Sequence, residues 1–401
     1  MTIVSGIQPS GRLHVGNELG AVRNWLALQG EKKNRCFFFI ADWHSLTEEY
    51  DPAGKAAQVR ELAAELFASG IDPKRVTLFR QSDLPEHLEL AWYFACVTQV
   101  GSMERMTQYK DKVSRGESPN VGLFTYPVLM AADILAYSSP FSTTFKSGAQ
   151  IDEMRSRGAR SEPNRSDLRR GSTGANDEPE GAAGREAGSA RSQTAPPDRD
   201  VRAALGVPVG DDQKQHLELA NDIVRRFNHR YGETFPEVKY LPAPTARVMS
   251  LKDPFHKMSK SLGGDHCLFL DDSPEEIARK LRSAVTDTGP GKSEEGRVKR
   301  ENVSMSPGVR TLFEILEAFG DSNEVARFRT AHDAGAIKYS ELKPAVAHAF
   351  AAAHDEFRTK KADLMAHPDR IDAALERGAK AARAVAGATL AAVRRAVGIR
   401  S

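Results

Sequence analysis

The chain has 401 residues, 40% of them hydrophobic and 27% charged, with a formal net charge of +2. That length allows two or three domains with a sizeable core, and the balanced charge neither demands nor excludes nucleic acid, which would need a local basic patch. Cys36, Cys96 and Cys267 are scattered, with no CxxC or Cys/His cluster, which argues against a structural zinc site or a disulfide framework and for a reducing compartment.

The N-terminus, MTIVSGIQPSG, lacks a basic segment followed by a long apolar run, so it does not read as a secretory signal. TIVSG (2–6) reads as a short buried strand. NELGAVRNWLALQG (17–30) then reads as a helix capped by Asn17, with Leu19, Val22 and Leu26 on one face and Gly30 at its end. RCFFFIAD (35–42) is a second buried strand; its dense apolar core, CFFFIA, is too short to cross a bilayer. A helix near 54–69 and a third strand, VTLFRQSD (76–83), follow. This alternation predicts an α/β fold, a doubly wound, Rossmann-like parallel sheet with helices on both faces. The loop GIQPSGRLHVGN (6–17) then sits at the carboxyl end of strand one and opens a helix. Ligands bind there in open sheets, and helix N-termini favour anions, although Gly, Ser, Pro and Asn are equally the residues of an ordinary turn.

Residues 138–206 break the pattern. Between Ile151 and Asp200 there are no aromatic residues, and Met154 and Leu168 are almost the only large apolar ones. Such a segment cannot bury enough apolar surface to offset its ordering entropy, so a disordered low-complexity insert is expected. The catalytic domain is therefore read as 1–137 plus 207–262. VPV (207–209) is a brief strand, followed by a helix with Leu217, Ala220 and Val224 on one face. Residues 263–401 read as an all-helical C-terminal domain, with its last helices able to pack back on the sheet. Arg383, Arg394, Arg395 and Arg400 near its end read as a solvated basic face or as contacts to RNA phosphate.

HKMSKS (256–261) follows the strand-like MSLKDP and belongs on a mobile loop. Two lysines three apart, with two serines, form a compact cationic donor cluster suited to a polyphosphate. PSGRLHVGN and KMSKS together resemble the signature pair of class I aminoacyl-tRNA synthetases. GIQPSGRLHVGN, ADWHSLT (41–47), ERMTQYKDK (104–112), TYPVLMAADILAY (125–137), VPVGDDQKQH (207–216) and RVMSLKDPFHKMSKS (247–261) are similar to the tryptophanyl branch. The likeness covers essentially the whole chain outside the insert. Tyrosyl enzymes share the fold but have a different first motif, so that branch ranks below.

The resemblance implies roles by position. Gln8, Pro9, Ser10, Gly16 and Asn17 match the motif that holds ATP, and His14 matches the histidine placed against the phosphates. Gly210, Asp211 and Asp212 resemble the second nucleotide contact, Val248 a backbone contact beside adenine, and Lys112 a lysine that reaches the phosphates. Lys257, Met258, Ser259, Lys260 and Ser261 match the loop that closes over pyrophosphate. His14, Lys257 and Lys260 are the residues assigned to catalysis. Asp133 lies in an otherwise apolar helical run, where an unpartnered carboxylate is costly. An ion pair with Arg or Lys would explain it from pattern alone, whereas the resemblance implies acceptance of an indole N–H. Tyr126, Met130, His44 and Gln213 would line the rest of that tryptophan pocket. His44 taken alone reads as a structural histidine.

The implied reaction joins L-tryptophan and ATP, with Mg²⁺, to give tryptophanyl-adenylate, then passes the amino acid to tRNA(Trp); a homodimer is implied as well. No editing domain is expected. Three departures stand out: the insert parts Asp133 from Gln213, Asn17 ends a motif that closes on histidine in many class I relatives, and LGG follows Ser261 where many have an acid. The alternative is a catalytically inactive relative that binds nucleotide or RNA, disabled by the insert.

Overall fold

The computed structural model describes residues 1–114, 116, 120–138, 204–210, 213–242, 248–286 and 305–399, leaving aside the side chains of Gln108, Asp111 and Lys112. The expected insert lies outside these residues except at its edges, where its boundaries need correction. Ser138 is buried and its carbonyl accepts from Thr389 Oγ1 at 3.0 Å. The fourth strand starts at Leu205, two residues before VPV.

Five parallel strands form the sheet: β1 (Thr2–Ile7), β2 (Arg35–Ile40), β3 (Thr77–Arg80), β4 (Leu205–Val209) and β5 (Val238–Pro242), in the order β3-β2-β1-β4-β5. The period-2 pleat sends alternate residues to opposite faces, and here both faces are covered. Phe38 of β2 stacks on Trp25 at 4.3 Å between centroids, while its neighbour Phe37 stacks on Tyr137 at 4.4 Å. The two rings belong to separate apolar clusters, one on each side of the sheet. The chain winds outward from β1 through β2 to β3, then returns to place β4 on the other side of β1. The carboxyl ends of β1 and β4 thus flank the topological switch point, where ligands bind in such sheets.

The helices preceding the insert are α1 (Val15–Asn17), α2 (Arg23–Gly30), α3 (Pro52–Ala68), α4 (Glu86–Ala95), α5 (Val100–Met103), α6 (Thr107–Ser114) and α7 (Val121–Leu135). A π-helical stretch, Glu18–Val22, joins α1 to α2. After β4 come α8 (Lys214–Tyr231), α9 (Pro274–Arg282), α10 (Pro307–Phe319), α11 (Ser322–Asp333), α12 (Tyr339–Ala353), α13 (Asp355–Ala366) and α14 (Pro368–Val397).

The C-terminal helices do not enclose a core of their own. Leu312 of α10, Phe350 of α12 and Ile371 of α14 share one apolar cluster with Ile3 and Phe38 of the sheet. α14 runs against the edge strand β3 so closely that a Cβ at Gly378 would lie 1.8 Å from the Leu78 carbonyl oxygen. Only glycine permits that approach, and the helix covers an edge that would otherwise be open to another strand. Arg383 donates to the Asp83 carbonyl, and Arg394 Nε donates to Glu89 Oε1 of α4 at 2.7 Å. Both arginines help dock α14 on the protein, Arg394 half-buried and Arg383 still exposed; Arg395 is exposed as well, and Arg400 lies outside the described residues.

Candidate active site

The first loop leaves β1 at Ile7 and turns at once, Ser10 N donating to the Gln8 carbonyl at 2.9 Å. Gly11 follows at φ +103°, a conformation that favours glycine. Gln8 and Ser10 are exposed and Pro9 is buried. Beyond Gly11 the chain pairs with the segment that follows KMSKS. Val15 N donates to the Leu268 carbonyl at 2.9 Å and Leu270 N to the Leu13 carbonyl at 3.0 Å, with His14 bridged to Phe269.

The helix cap differs from the expected one. His14, not Asn17, is the N-cap: its Nδ1 accepts from Gly16 N at 3.1 Å, and Asn17 Oδ1 accepts from His14 N at 3.2 Å, completing a capping box. Asn17 is the third helical residue, and its amide side chain supports the histidine. A Cβ at Gly16 would lie 2.9 Å from the His14 ring, so this glycine admits the imidazole. With Nδ1 accepting, the neutral ring carries its proton on Nε2 and keeps a donor for a ligand.

Burial, reinforced by the ammonium groups of Lys260 and Lys257, lowers His14 to about 4. The unfolded chain carries a histidine near 6.5. Between about pH 6.5 and 4 the unfolded chain therefore takes up a proton that the native state refuses, and stability falls as pH drops through that window. Replacing His14→Gln should flatten this limb in urea unfolding measured from pH 6.5 to 4.5; an unaltered slope would show that another group sets it.

KMSKS lies on a hairpin-like turn. Ser250 N donates to the His256 carbonyl at 2.9 Å, Met258 N to the Val248 carbonyl at 3.0 Å, and Met249 bridges Lys257. The Met258 side chain is buried in the apolar cluster rather than offered to a ligand, and Val248, also buried, has its carbonyl engaged. Lys257 is exposed, and Ser259 Oγ and Ser261 Oγ are 2.8 Å apart. Lys260 reaches across 249 positions in sequence to donate to the Gly11 carbonyl at 2.8 Å, with Ser10 Oγ at 3.5 Å. Burial lowers its pKa, with Glu65 opposing. The two loops thus meet at the carboxyl end of β1.

Asp133 of α7 is 0% exposed. Its partners are not the Arg or Lys that pattern alone anticipated. Oδ1 accepts from Gln81 Nε2 and His87 Nδ1, both at 2.8 Å, and Oδ2 from His44 Nε2 at 2.7 Å. His87 Nε2 lies 2.8 Å from the Tyr137 hydroxyl, which donates to it. Burial by itself would raise the Asp133 carboxyl, but His44 and His87 outweigh it and hold the group near 2. Tyr126 sets its ring edge-on to His44 at 6.1 Å and its hydroxyl on His216 Nε2. Met130 is half-buried on the same helix, and Gln213 heads α8 with its N–H on the Gly210 carbonyl at 3.0 Å. Asp211 and Asp212 lie outside the described residues, as does the Lys112 side chain. Sequence reasoning missed Gln81, His87 and His216; only Gln81 carried a signal, its place at the carboxyl end of β3.

A family model described as "tRNA synthetases class I (W and Y)" matches residues 1–142 and 199–355. The chain belongs to this family of synthetases. The unmatched stretch between these segments falls inside the expected insert. Among similar proteins, tryptophan–tRNA ligase 2 of Streptomyces avermitilis is 36% identical over 97% of this chain and 94% of its own length. The tryptophan–tRNA ligase of Caldanaerobacter subterraneus subsp. tengcongensis is 36% identical over 99% and 98%. A solved tryptophanyl-tRNA synthetase from Campylobacter jejuni, complexed with ADP and tryptophan, superposes with a TM-score of 0.71 at 27% identity, covering 99% of this chain and all of that one. The sheet order and the flanking helices are those of the Rossmann-like class I fold that the sequence led us to expect.

Proposed function

We infer that this synthetase is a tryptophan–tRNA ligase that activates L-tryptophan with ATP and transfers it to tRNA(Trp) in the cytoplasm. The observation that carries the reading is Lys260 docked on the Gly11 carbonyl, close enough to His14 to act on its charge, which joins the cationic loop to the loop that bears the neutral histidine at the switch point. In this reading the tryptophan carboxylate attacks the α-phosphorus of ATP, and pyrophosphate leaves. His14 Nε2–H, Lys257 and Lys260 stabilise the charge that develops on the phosphate oxygens, which is where catalysis of phosphoryl and nucleotidyl transfer chiefly lies. Ser259 and Ser261 add hydroxyl donors, and Gly210, Asp211 and Asp212 are assigned to the nucleotide. Lys112 is assigned to the phosphates as well.

Asp133 supplies the amino-acid end. A carboxylate has about four lone-pair sites. Three are taken by Gln81, His87 and His44, and the remaining one, on Oδ2, is available to an indole N–H. Tyr126, which packs edge-on against His44, together with His44, Met130 and Gln213, is assigned to the rest of the tryptophan pocket. Mg²⁺ fits this reading as an ion carried by the triphosphate. Among the described residues the single carboxylate cluster of metal-binding geometry is Glu61, Glu65 and Asp271, and the Lys361 ammonium bonds all three. The ion's chemistry would be charge neutralisation on the phosphates.

The test is tryptophan-dependent ATP–pyrophosphate exchange, with tyrosine as the competitor, run across a gel-filtration profile for the full chain and for a form lacking 139–203. Exchange with tryptophan and none with tyrosine is expected from both. Activity confined to the shortened form would show that the insert disables the enzyme, the alternative kept from the sequence. The active peak should run at twice 43.9 kDa if the homodimer is right; α4 offers Leu88 and Trp92, exposed one turn apart, as an apolar face for it. A single-chain mass for the active peak would remove the dimer.

A further inference from the structure

The geometry points to Lys361, on α13 in the C-terminal helices, as a positioning residue for the first ATP loop, and we propose that it acts through Glu65 and Asp271. Its ammonium lies 2.8 Å from Glu61 Oε1, 2.7 Å from Glu65 Oε1 and 2.6 Å from Asp271 Oδ2. Two of these carboxylates turn their other oxygen to the loop. Glu65 Oε2 accepts from Leu13 N at 2.8 Å, and Asp271 Oδ1 accepts from Arg12 Nε at 2.7 Å. Arg12 also donates to Asp272, which in turn accepts from Lys280 Nζ at 2.6 Å and from Phe269 N at 3.0 Å. Leu13 and Arg12, the two residues preceding His14, are therefore held by Glu65 and Asp271, both bonded by one lysine about 350 positions downstream, with Asp272 and Lys280 as a second hold on Arg12.

Glu65 is 0% exposed, so its charge depends on a partner. Burial alone would lower Lys361, but Glu65, Asp271 and Glu61 outweigh it and raise the ammonium above the usual lysine range, while burial raises Glu65 against the pull of Lys361. Without the ammonium, Glu65 loses its cation and faces Asp271, which keeps only Arg12. Protonation or movement of either weakens its grip on Leu13 or Arg12. His14 then loses the fixed approach that aims Nε2. The far end of the loop is tied separately, Glu18 Oε2 lying 2.7 Å from His354 Nε2, so the loss is confined to the near end.

This inference rests on the ligase reading for its kinetic consequence but not for its structural one. The experiment compares Lys361→Met, Lys361→Arg and the exposed neighbour Lys360→Ala in the full chain. Hydrogen exchange of the peptide spanning 11–17 is read beside exchange kinetics with tryptophan and ATP. In Lys361→Met, exchange at 11–17 should rise about tenfold or more while the β5 segment stays unchanged. kcat should fall by a similar factor with KM for tryptophan within about twofold. Lys361→Arg should restore both, and Lys360→Ala should alter neither. Unchanged exchange at 11–17 in Lys361→Met overturns the proposal, as does a uniform rise across the protein that arginine does not rescue. If the parent chain fails to activate tryptophan, the ligase reading fails, and hydrogen exchange still decides the role of Lys361.

Discussion

Replacing Asp133→Asn should lower kcat/KM for tryptophan by about 10³- to 10⁴-fold while leaving the melting temperature within a few degrees. A site built to satisfy one buried polar group discriminates on that scale, because the wrong partner leaves the group unpaired. Asparagine keeps an oxygen for Gln81 and His87 but presents an NH₂ where Oδ2 now accepts from His44. That NH₂ can accept neither imidazole nor indole. Asp133→Ala should lose the same activity and also destabilise the fold, since it strands three buried donors, two of them fully so. The asparagine form therefore separates recognition from folding. A tryptophan analogue with sulfur in place of the indole N–H sharpens the test. The parent should reject it about as strongly as the variant rejects tryptophan, and the variant should no longer tell the two apart. Pyrophosphate exchange with tryptophan at the parental rate in Asp133→Asn would end the assignment of Asp133 to the indole.

The second large effect falls on Lys260. Lys260→Ala removes the donor to the Gly11 carbonyl and one of the two cations beside His14. Loss of a preorganised donor to developing charge costs about 10²- to 10³-fold in kcat. KM for tryptophan should stay within about threefold, because Asp133 and its partners belong to α7, α4 and the loops after β2 and β3 rather than to the KMSKS turn. Lys260→Arg should recover little, since a planar guanidinium does not reproduce a compact ammonium on one carbonyl. Steady-state exchange against ATP and tryptophan separately reads this split. A kcat within threefold of the parent would mean that the contact with Gly11 merely closes the resting protein.

Much of this was legible before the fold was known. Strand–helix alternation up to Asp83 required a parallel sheet, and the small, turn-forming residues of 8–17 after the first strand placed a ligand loop. The five letters of KMSKS named a phosphate-binding turn. These signals are local: a period, a turn, a cluster within a few residues. The helix cap was misplaced by three positions because Asn17 is an ordinary cap residue, and only the folded turn shows His14 accepting from Gly16 while Asn17 reaches back to it. Met258 looked like part of the phosphate loop, yet the turn points its side chain into the apolar cluster.

By itself, the sequence determined the class of fold, the family, and the two loops that carry the phosphate chemistry. Local backbone preferences and short-range hydrogen bonds write such features into neighbouring residues. Tertiary structure alone decided how Asp133 is satisfied. Gln81, His87 and His44 come from three separate segments, and no spacing announces that they converge on one carboxylate. It also decided that Lys260 meets Gly11, that α14 covers β3 through Gly378, and that Lys361 reaches the carboxylates behind Leu13 and Arg12. Each of these is a contact between positions far apart in the chain. A buried charge is indifferent to where in the sequence its partner arises, requiring only that folding bring one within hydrogen-bond reach.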